Sequence, residues 1–387
     1  MAAREGELIR PAQPRDDEGA ALLRIEGLSV SFPGRRGADT GERNVVRGLD
    51  LELHRGELLG VVGESGCGKT MAALSVMGLL PPPGRVTAGR VLLAGEELTS
   101  LSEGEMRRRR GSRVAMVFQE PMSALNPVFT VGFQVAEAVR AHRDLSRAEA
   151  KSEAVELLRR VSLPDPGRRA RAYPHELSGG QRQRVMIAIA LAGGPEVLLA
   201  DEPTTALDVT VQAEILELLD GLRRDLGLAV LLITHDLAVV GQTCDRVVVM
   251  YAGQAVEEAP AAALFEAPAH PYSQALLASL PRLGRPVPRG ELPVIAGRVP
   301  EPGGLPPGCA FHPRCPQVME VCPQRPPETY DPGTGRAEGP APRVRWARCF
   351  LHAPGLSAAE RSPLVAAPAG PATAADSTDT AAPDEPR

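Results

Sequence analysis

The chain has 387 residues, of which 43% are hydrophobic and 3% aromatic, and its formal net charge is −5. It is long enough for one large domain or two moderate domains with real cores. The acidic balance gives no electrostatic reason to expect nucleic acid as a partner, and no stretch is apolar enough to span a bilayer. Because the polar N-terminus also lacks a signal-peptide core, we expect a cytosolic protein whose six cysteines are reduced or metal-bound.

The two ends of the chain differ in composition from the middle. Residues 1–20 and 353–387 are rich in Ala, Pro, Asp, Glu and Thr, which predicts disordered tails. Residues 22–32 and 45–53 alternate between apolar and polar side chains, as antiparallel strands do. Phe32, at the end of the first of these strands, either stacks on an adenine ring or packs in the core.

A phosphate-binding loop is predicted next. Residues 58–62 (LLGVV) have the apolar, branched composition of a buried parallel strand, and residues 71–80 fit a helix that stops before three prolines. Between them, GESGCGKT matches G-x-x-x-x-G-K-[ST], in which glycines let backbone N–H groups converge on an anion at a helix N-terminus. The nucleotide-binding residues of this loop are Gly63, Glu64, Ser65, Gly66, Cys67, Gly68, Lys69 and Thr70.

The choice of lysine within this loop supports the prediction. The chain has 43 basic residues, and only those at positions 69 and 151 are lysine. Lysine is therefore kept where a compact positive charge beside phosphate is needed. We expect Lys69 to contact the β- and γ-phosphates and Thr70 to bind Mg²⁺ through its hydroxyl.

The middle of the chain predicts a helical insertion. A buried strand leads into a polar, proline-containing loop at Gln119. Two helical patterns follow at residues 131–142 and 146–163, and the second opens with a capping box. We therefore expect a helical subdomain over about residues 125–180.

The second half continues with alternating helices and strands. A second exposed helix start is formed by Leu177, Ser178, Gly179, Gly180 and Gln181. A buried strand then ends in Asp201 and Glu202, and Asp208 is placed to cap a long amphipathic helix. Another buried strand ends just before His235. This alternation predicts an α/β domain with its ligand at the carboxyl ends of the strands.

The polar residues at the strand ends have a joint chemical interpretation. Downstream of a phosphate-binding loop, Asp201 is expected to hold Mg²⁺ and Glu202 to orient or deprotonate the attacking water. His235 is placed to hydrogen-bond the γ-phosphate, and Gln119 to contact the metal and the water. Each residue alone is also compatible with a structural role. Their occurrence together in this order is far less expected by accident, and it predicts hydrolysis at the γ-phosphate of a bound nucleotide.

These motifs, with LSGGQ (177–181), VLLADE (197–202) and TALD (205–208), resemble the nucleotide-binding domain of ATP-binding cassette (ABC) proteins over roughly residues 22–258. The resemblance implies a RecA-like P-loop core with an antiparallel β subdomain and a helical insertion. It further implies a head-to-tail dimer in which ATP lies between one P-loop and the other subunit's Ser178–Gly180. By matching position, Glu202 is the catalytic base, His235 the switch histidine, and Asp208 part of the loop that couples the two sites.

The later part of the chain narrows the resemblance. HPYSQALLASLPR (270–282), followed by a cysteine-containing segment, is similar to the C-terminal extension of peptide importer ATPases of the dipeptide, oligopeptide and nickel class. The resemblance implies ATP-driven import at the cytoplasmic face of the cell membrane. The implied partners are a second ATPase subunit, two membrane-spanning permease subunits and an extracytoplasmic peptide-binding protein, without nucleic acid.

The extension, which spans residues 259–352, contains four cysteines that predict a metal or iron–sulfur site. Cys309, Cys315, Cys322 and Cys349 have the spacing C-x5-C-x6-C-x26-C. Four thiolates suit a [4Fe–4S] cluster or a tetrahedral zinc ion. The absence of a C-x2-C pair, and the clusters found in some relatives of this class, favour iron–sulfur. Zinc and a metal-free thiol group remain alternatives.

Other functions remain alternatives to peptide import. An importer of nickel or another small solute fits the same extension. A soluble ABC ATPase that acts on DNA or ribosomes is disfavoured, because such chains generally carry a long coiled-coil insertion or two cassettes, whereas this sequence has one P-loop and one LSGGQ. An exporter ATPase is disfavoured by the extension and by the lack of a fused membrane domain.

Overall fold

Strands and helices alternate along the chain in a computed structural model that describes residues 20–34, 41–119, 124–205, 207–280, 295–335 and 345–364. The strands are β1 (Leu23–Pro33), β2 (Glu42–Leu53), β3 (Leu58–Val62), β4 (Arg85–Leu93), β5 (Glu96–Glu97), β6 (Val114–Val117), β7 (Val197–Asp201), β8 (Ala229–Ile233), β9 (Arg246–Tyr251), β10 (Gln254–Pro260) and β11 (Trp346–Ala347). The α-helices are α1 (Lys69–Val76), α2 (Glu103–Arg109), α3 (Val131–His142), α4 (Arg147–Arg160), α5 (Pro166–Arg169), α6 (Gly179–Leu191), α7 (Val209–Leu226), α8 (Leu237–Thr243), α9 (Ala261–Glu266) and α10 (Pro271–Ala278).

A seven-stranded sheet forms the centre of the protein, with the strand order β11-β10-β9-β3-β8-β7-β6. The five strands from β9 to β6 are parallel, and every residue of β3, β7 and β8 is buried. Burial on both faces explains why these strands are continuous apolar runs rather than alternating ones. In the register, Ile233 pairs with both Val61 and Asp201, so the segments that follow β3, β7 and β8 meet at one edge.

A smaller antiparallel sheet has the order β2-β1-β4-β5. It confirms the two strands that alternation predicts near the N-terminus. Apolar side chains from β1, β2 and β4 share one core with α1 and with one face of the large sheet, including Leu59 and Leu231. This contact fixes the helix that follows the P-loop against both sheets.

The helical insertion consists of α3, α4 and α5. Ser146 Oγ accepts a hydrogen bond from Glu149 N (3.3 Å), and Glu149 Oε2 accepts one from Ser146 N (2.9 Å), so the predicted capping box forms. Ala150, Ala154 and Leu157 lie on one face of α4 and join α3 in the largest core. Among the described ranges, no helix has both the length and the apolar composition required to cross a membrane.

The C-terminal extension has a small hydrophobic core of its own around Val318, Val321 and Phe350, but it also joins the sheet and the largest core of the cassette. β10 crosses the boundary predicted at residue 258, and the two-residue strand β11 pairs with it at the edge of the large sheet. Trp346 Nε1 donates a hydrogen bond to the buried Glu258 carboxylate (3.0 Å). Tyr272 and Phe311 belong to the largest core together with residues of α6 and β8. The extension is therefore integrated into the ATPase fold.

The predicted disordered tails need one correction. Residues 353–364 are ordered against the cysteine-containing segment, since Leu364 N donates to Val318 O (3.0 Å) and Ser362 O accepts from Glu320 N (3.1 Å). The composition of residues 353–364 predicted disorder because it offers few apolar side chains for a core of its own, whereas this segment packs against an existing small core. Residues 1–19 and 365–387, which are also predicted tails, lie outside the described residues.

Candidate active site

The loop between β3 and α1 has a backbone that only glycine permits at two positions. Gly63 has φ 153° and Gly68 has φ 103°. A Cβ atom on Gly63 would lie 2.2 Å from Met250 O, and one on Gly68 would lie 2.5 Å from Val45 O. The backbone thus packs directly against β9 and β2, while Ser65 and Gly66 at the tip are exposed.

Lys69, at the start of α1, lies along this loop. Its side chain is 5% exposed, and Nζ donates hydrogen bonds to Gly63 O (2.7 Å) and Glu64 O (3.2 Å). The ammonium group is therefore at the concave side of the loop, where a phosphate contact requires it. Cys67 is fully buried beneath the loop, and burial raises the pKa of its thiol. Its side chain therefore packs in the core, and only its backbone is available to the phosphates.

Thr70 and Asp201 bring two oxygen ligands together from α1 and the end of β7. Thr70 Oγ1 lies 3.2 Å from Asp201 Oδ1, and Asp201 is 2% exposed. Burial raises the pKa of the Asp201 carboxyl. A hydroxyl beside a buried carboxylate is the donor chemistry that Mg²⁺ prefers, so these two residues fit the expected ion.

Glu202 is the point on which the other strand-end residues converge. Its φ is 46°, and its N–H donates to Ile233 O on β8 (2.8 Å), which turns the side chain away from the strand axis. Gln119 Nε2 donates to Glu202 Oε2 (3.0 Å), and His235 Nδ1 lies 3.4 Å from Oε1. Three predicted residues from the ends of β6, β7 and β8 thus meet at one carboxylate.

Thr205 is a member of this group that the sequence analysis missed. Its Oγ1 donates to Glu202 Oε2 (2.8 Å), three residues along the chain. A hydroxyl three residues after a carboxylate is a common local hydrogen-bond pattern, and this was the signal available. Oε2 therefore holds two donors, and Oε1 faces the more distant histidine.

The LSGGQ segment forms a helix cap instead of joining this group. Ser178 Oγ accepts from Gln181 N (3.3 Å), and Gln181 Oε1 accepts from Ser178 N (3.3 Å), so a capping box begins α6. Leu177 is buried, whereas Ser178 and Gly179 are exposed. A Cβ atom on Gly180 would lie 2.3 Å from a methyl group of Val211, which shows how closely α6 approaches α7.

Two further candidate residues lie beside these elements. Asp208 caps α7 as predicted, because its Oδ1 accepts a hydrogen bond from Val211 N (3.0 Å). Phe32 is half-buried, packs against the smaller sheet's core, and its ring lies so close to Gly84 that a Cβ there would be 2.5 Å away. The packing interpretation of Phe32 accounts for these contacts, and its stacking on adenine stays a prediction.

The C-terminal extension reaches the P-loop, which the sequence analysis did not predict. Tyr272 Oη accepts a hydrogen bond from Glu64 N (2.9 Å). The Arg314 guanidinium donates to both carboxylate oxygens of Glu64, at 2.7 and 3.0 Å. These partners are 208 and 250 residues away in the chain, a separation across which sequence patterns carry no pairing signal.

The four cysteines of the extension lie in one neighbourhood, and all are unpaired thiols. Cys315 Sγ accepts a hydrogen bond from Gln317 N and Cys322 Sγ one from Met319 N, both at 3.4 Å. Burial raises the pKa of Cys309 to about 11 and that of Cys315 to about 12. The described residues contain no group of three or more His, Cys, Asp or Glu side chains arranged to hold a metal ion, so neither the predicted iron–sulfur cluster nor the zinc alternative is supported by this arrangement.

Two protein-family models match the chain. One is described as "ABC transporter" and matches residues 46–205, which include the P-loop, Gln119, LSGGQ and Glu202. The other is described as "Oligopeptide/dipeptide transporter, C-terminal region" and matches residues 256–322. The two matches together cover Gln119, Glu202 and Thr205 and the segment that contacts Glu64, while His235 lies between them.

Curated relatives are similar over most of the chain. A probable peptide ABC transporter ATP-binding protein of Sinorhizobium fredii is 51% identical over 322 residues, which is 82% of this chain and 93% of the relative. The dipeptide transport ATP-binding protein DppD of Bacillus subtilis is 48% identical, over 78% of this chain and 88% of the relative. The DppD protein of Escherichia coli is 46% identical, over 78% and 90%.

Solved structures agree with the fold. The dimeric structure of MJ0796, a bacterial ABC transporter cassette, has a TM-score of 0.55 and 28% identity, and it covers 62% of this chain and 99% of its own. CbiO1 from Clostridium perfringens, part of an ABC transporter complex, has a TM-score of 0.54 and 26% identity, with 64% and 91% coverage.

Proposed function

Because this chain belongs to the ATP-binding proteins of peptide ABC transporters, we propose that it is the subunit whose ATP hydrolysis energises import of dipeptides or oligopeptides. The observation that carries the proposal is the presence of both parts in one chain. A P-loop faces the Asp201–Glu202 strand end, and the matched transporter extension contacts that same P-loop through Tyr272 and Arg314.

Binding of ATP involves the loop at residues 63–70. Backbone N–H groups and the N-terminus of α1 attract the phosphates, and Lys69 exchanges its carbonyl partners for phosphate oxygens. Thr70 and Asp201, with the side-chain oxygen of Gln119, would hold Mg²⁺. When bound, this ion neutralises charge that develops on the phosphates.

Hydrolysis is assigned to Glu202 as general base. Gln119 and Thr205 both donate to Oε2 and fix the carboxylate, which leaves Oε1 as the atom that accepts a proton from the attacking water. His235, 3.4 Å from Oε1 and 61% exposed, is placed to orient the water and the γ-phosphate. The base is thus oriented by Gln119, which follows β6, and by Thr205, which follows β7.

A head-to-tail dimer would complete each site. Ser178 and Gly179 are exposed at the start of α6, as they must be to contact the nucleotide of another subunit. Val209, beside Asp208, is 83% exposed, which suits a loop that is covered by a partner. The dimeric structure of the bacterial cassette supports this arrangement by similarity. In this head-to-tail dimer, Lys69 and Ser178 of one chain would contact two different ATP molecules.

Contact with two membrane-spanning permease subunits is assigned to exposed apolar residues on both sides of Gln119 in the sequence. These residues are Phe118, Val128, Phe129 and Phe133, which are 38%, 69%, 43% and 46% exposed. The rings of Phe129 and Phe133 stack with centroids 4.8 Å apart. Exposed apolar side chains such as this stacked pair are typical of a protein contact. With this contact the chain would lie at the cytoplasmic face of the cell membrane, and we propose that an extracytoplasmic peptide-binding protein completes the transporter.

The experiment that tests the proposal is transport in cells that lack this chain. Unmodified protein should restore uptake of labelled dipeptides and tripeptides, and Glu202→Gln should not, because it keeps the size but not the basicity of the carboxylate. Glu214→Gln removes a carboxylate on α7 that is paired with Arg184, and it serves as the matched control. Restoration of nickel uptake without peptide uptake would establish the small-solute alternative.

For the four cysteines we propose a [4Fe–4S] cluster. The support is the donor set itself: four thiols that are buried or half-buried lie close enough to interact, and backbone N–H groups donate to two of the sulfur atoms. The visible absorption spectrum of anaerobically purified protein tests this. A colourless protein with stoichiometric zinc would contradict it.

A further inference from the structure

Glu64, the second residue of the P-loop, is held at three of its polar groups. Its N–H donates to Tyr272 Oη (2.9 Å), its carbonyl accepts from Lys69 Nζ (3.2 Å), and its carboxylate accepts two hydrogen bonds from Arg314. Two of these partners belong to the C-terminal extension. The extension therefore acts on the loop from outside the cassette.

Arg314 is fixed in a single orientation. Its side chain is 5% exposed, and it donates to Ala296 O (2.9 Å) and Ile295 O (3.3 Å) in addition to Glu64. The guanidinium also lies 5.7 Å from the centre of the Tyr251 ring. The two terminal nitrogens of Arg314, Nη1 and Nη2, each donate to one oxygen of the Glu64 carboxylate. This paired contact neutralises the charge of Glu64 and fixes the orientation of its carboxylate.

Aromatic packing fixes the positions of Arg314 and Tyr272 relative to each other. Phe311, three residues before Arg314, is buried with its ring 5.2 Å from that of Tyr251 and 5.3 Å from that of Tyr272. His270 Nδ1 accepts from Tyr272 N (3.0 Å) and begins α10. These residues are as buried as the cassette core, so the extension presents a rigid surface to the P-loop.

We propose that Arg314 is a positioning residue of the nucleotide site and that it favours ATP binding by neutralising the Glu64 carboxylate beside the phosphates. The inference rests on the proposed role of residues 63–70 as the phosphate loop. A carboxylate on this loop would otherwise repel a triphosphate, since like charges at short range oppose binding. The extension thereby becomes part of the ATPase site rather than only an attachment of the transporter.

The test is a charge-pair cycle on the full-length chain, with equilibrium binding of a trinitrophenyl ATP analogue and steady-state ATPase measured on the same samples. Arg314→Gln should raise Kd about tenfold and change kcat less than KM, because it exposes the carboxylate charge. Glu64→Gln should bind about threefold more tightly. The double variant should bind within about threefold of the unmodified chain, and this rescue is a result that a folding role alone does not give.

Arg325→Gln is the matched control. Arg325 lies in the same extension, pairs with Glu360 (3.2 Å) and lies 5.2 Å from the centre of the Phe350 ring, so it repeats the chemistry of Arg314 away from the P-loop. It should leave Kd unchanged. The inference is overturned if Arg314→Gln binds as tightly as the unmodified chain, or if the double variant is as weak as Arg314→Gln.

Two outcomes remain distinguishable from these. If Arg314→Gln does not fold, Glu64→Gln alone decides, and weaker binding by that variant overturns the inference. If the unmodified chain itself fails to bind the analogue, the assignment of residues 63–70 is wrong, which is a failure of the proposed function rather than of the role of Arg314.

Discussion

Thr70 Oγ1 lies 3.2 Å from Asp201 Oδ1, so the hydroxyl that follows the P-loop lysine touches the carboxylate that ends β7. The Asp201 side chain is buried, and burial raises its pKa. Burying an ionised carboxylate lowers the free energy of unfolding unless a cation is bound beside it. A bound cation would therefore remove this destabilisation. The same carboxylate should therefore affect both the stability of the nucleotide-free protein and its binding of Mg²⁺.

We predict that Asp201→Asn stabilises the nucleotide-free protein while it removes Mg²⁺-dependent ATP hydrolysis. Because the folded-state pKa of Asp201 is raised, the folded state binds the proton more tightly, and the free energy of unfolding falls as pH rises through the window between the ordinary and the raised pKa. Above that window the asparagine variant should melt roughly 2 °C higher, and the difference should shrink on acidification.

Thermal melting at several pH values and ATPase titrations with Mg²⁺ measure both effects of the Asp201 variant. Asp144→Asn, at an exposed carboxylate in the loop between α3 and α4, is the control and should change neither quantity. A lower melting temperature for Asp201→Asn at pH 7.5 would contradict the prediction.

Thr205 should matter for catalysis although the motifs do not single it out. Its hydroxyl donates to Glu202 Oε2 (2.8 Å), and a hydrogen bond to a charged group contributes about 1.5–3 kcal/mol. Thr205→Val should therefore lower kcat by about tenfold or more, with KM for ATP changed less. Thr205→Ser keeps the hydroxyl and should retain activity, so equal losses in both variants would show that the methyl group matters instead.

The sequence predicts the strand ends well because they follow from one rule. In a parallel sheet the carboxyl ends of β7 and β8 share an edge, so Glu202 and His235, which follow these strands, were expected to be neighbours, and they lie 3.4 Å apart. The same reasoning does not reach Arg314, whose partner Glu64 is 250 residues away. Thr205 was missed because its contact depends on the positive φ of Glu202, which no residue type prescribes.

The exposed, stacked pair Phe129 and Phe133 gives a prediction about assembly. An aspartate at Phe133 places a charge in a surface that is proposed to be buried against a membrane subunit, and this should reduce co-purification of the permease subunits at least tenfold. ATP binding by the isolated chain should not change. Phe133→Leu keeps the apolar character and should co-purify normally. Normal assembly of Phe133→Asp would exclude this residue from the interface.

The head-to-tail dimer predicts complementation between two inactive variants. Lys69→Ala removes the phosphate-binding ammonium, and Ser178→Arg places a bulky charge at the exposed start of α6, so each variant alone should lack ATPase activity. In a mixed dimer, Lys69 of the second variant and Ser178 of the first meet at one complete site. An equal mixture should recover roughly a quarter of the unmodified activity, because half of the dimers are mixed and each has one site of two.

The controls for complementation use the same chain. The variant with both changes should stay inactive in any mixture with either single variant, since no complete site can then form. Ser146→Ala removes the capping box of α4 and costs about 1 kcal/mol of stability, but it should keep its activity, which separates loss of a cap from loss of the Ser178 contact. If the equal mixture of single variants shows no activity, Lys69 and Ser178 do not act across a dimer of this chain.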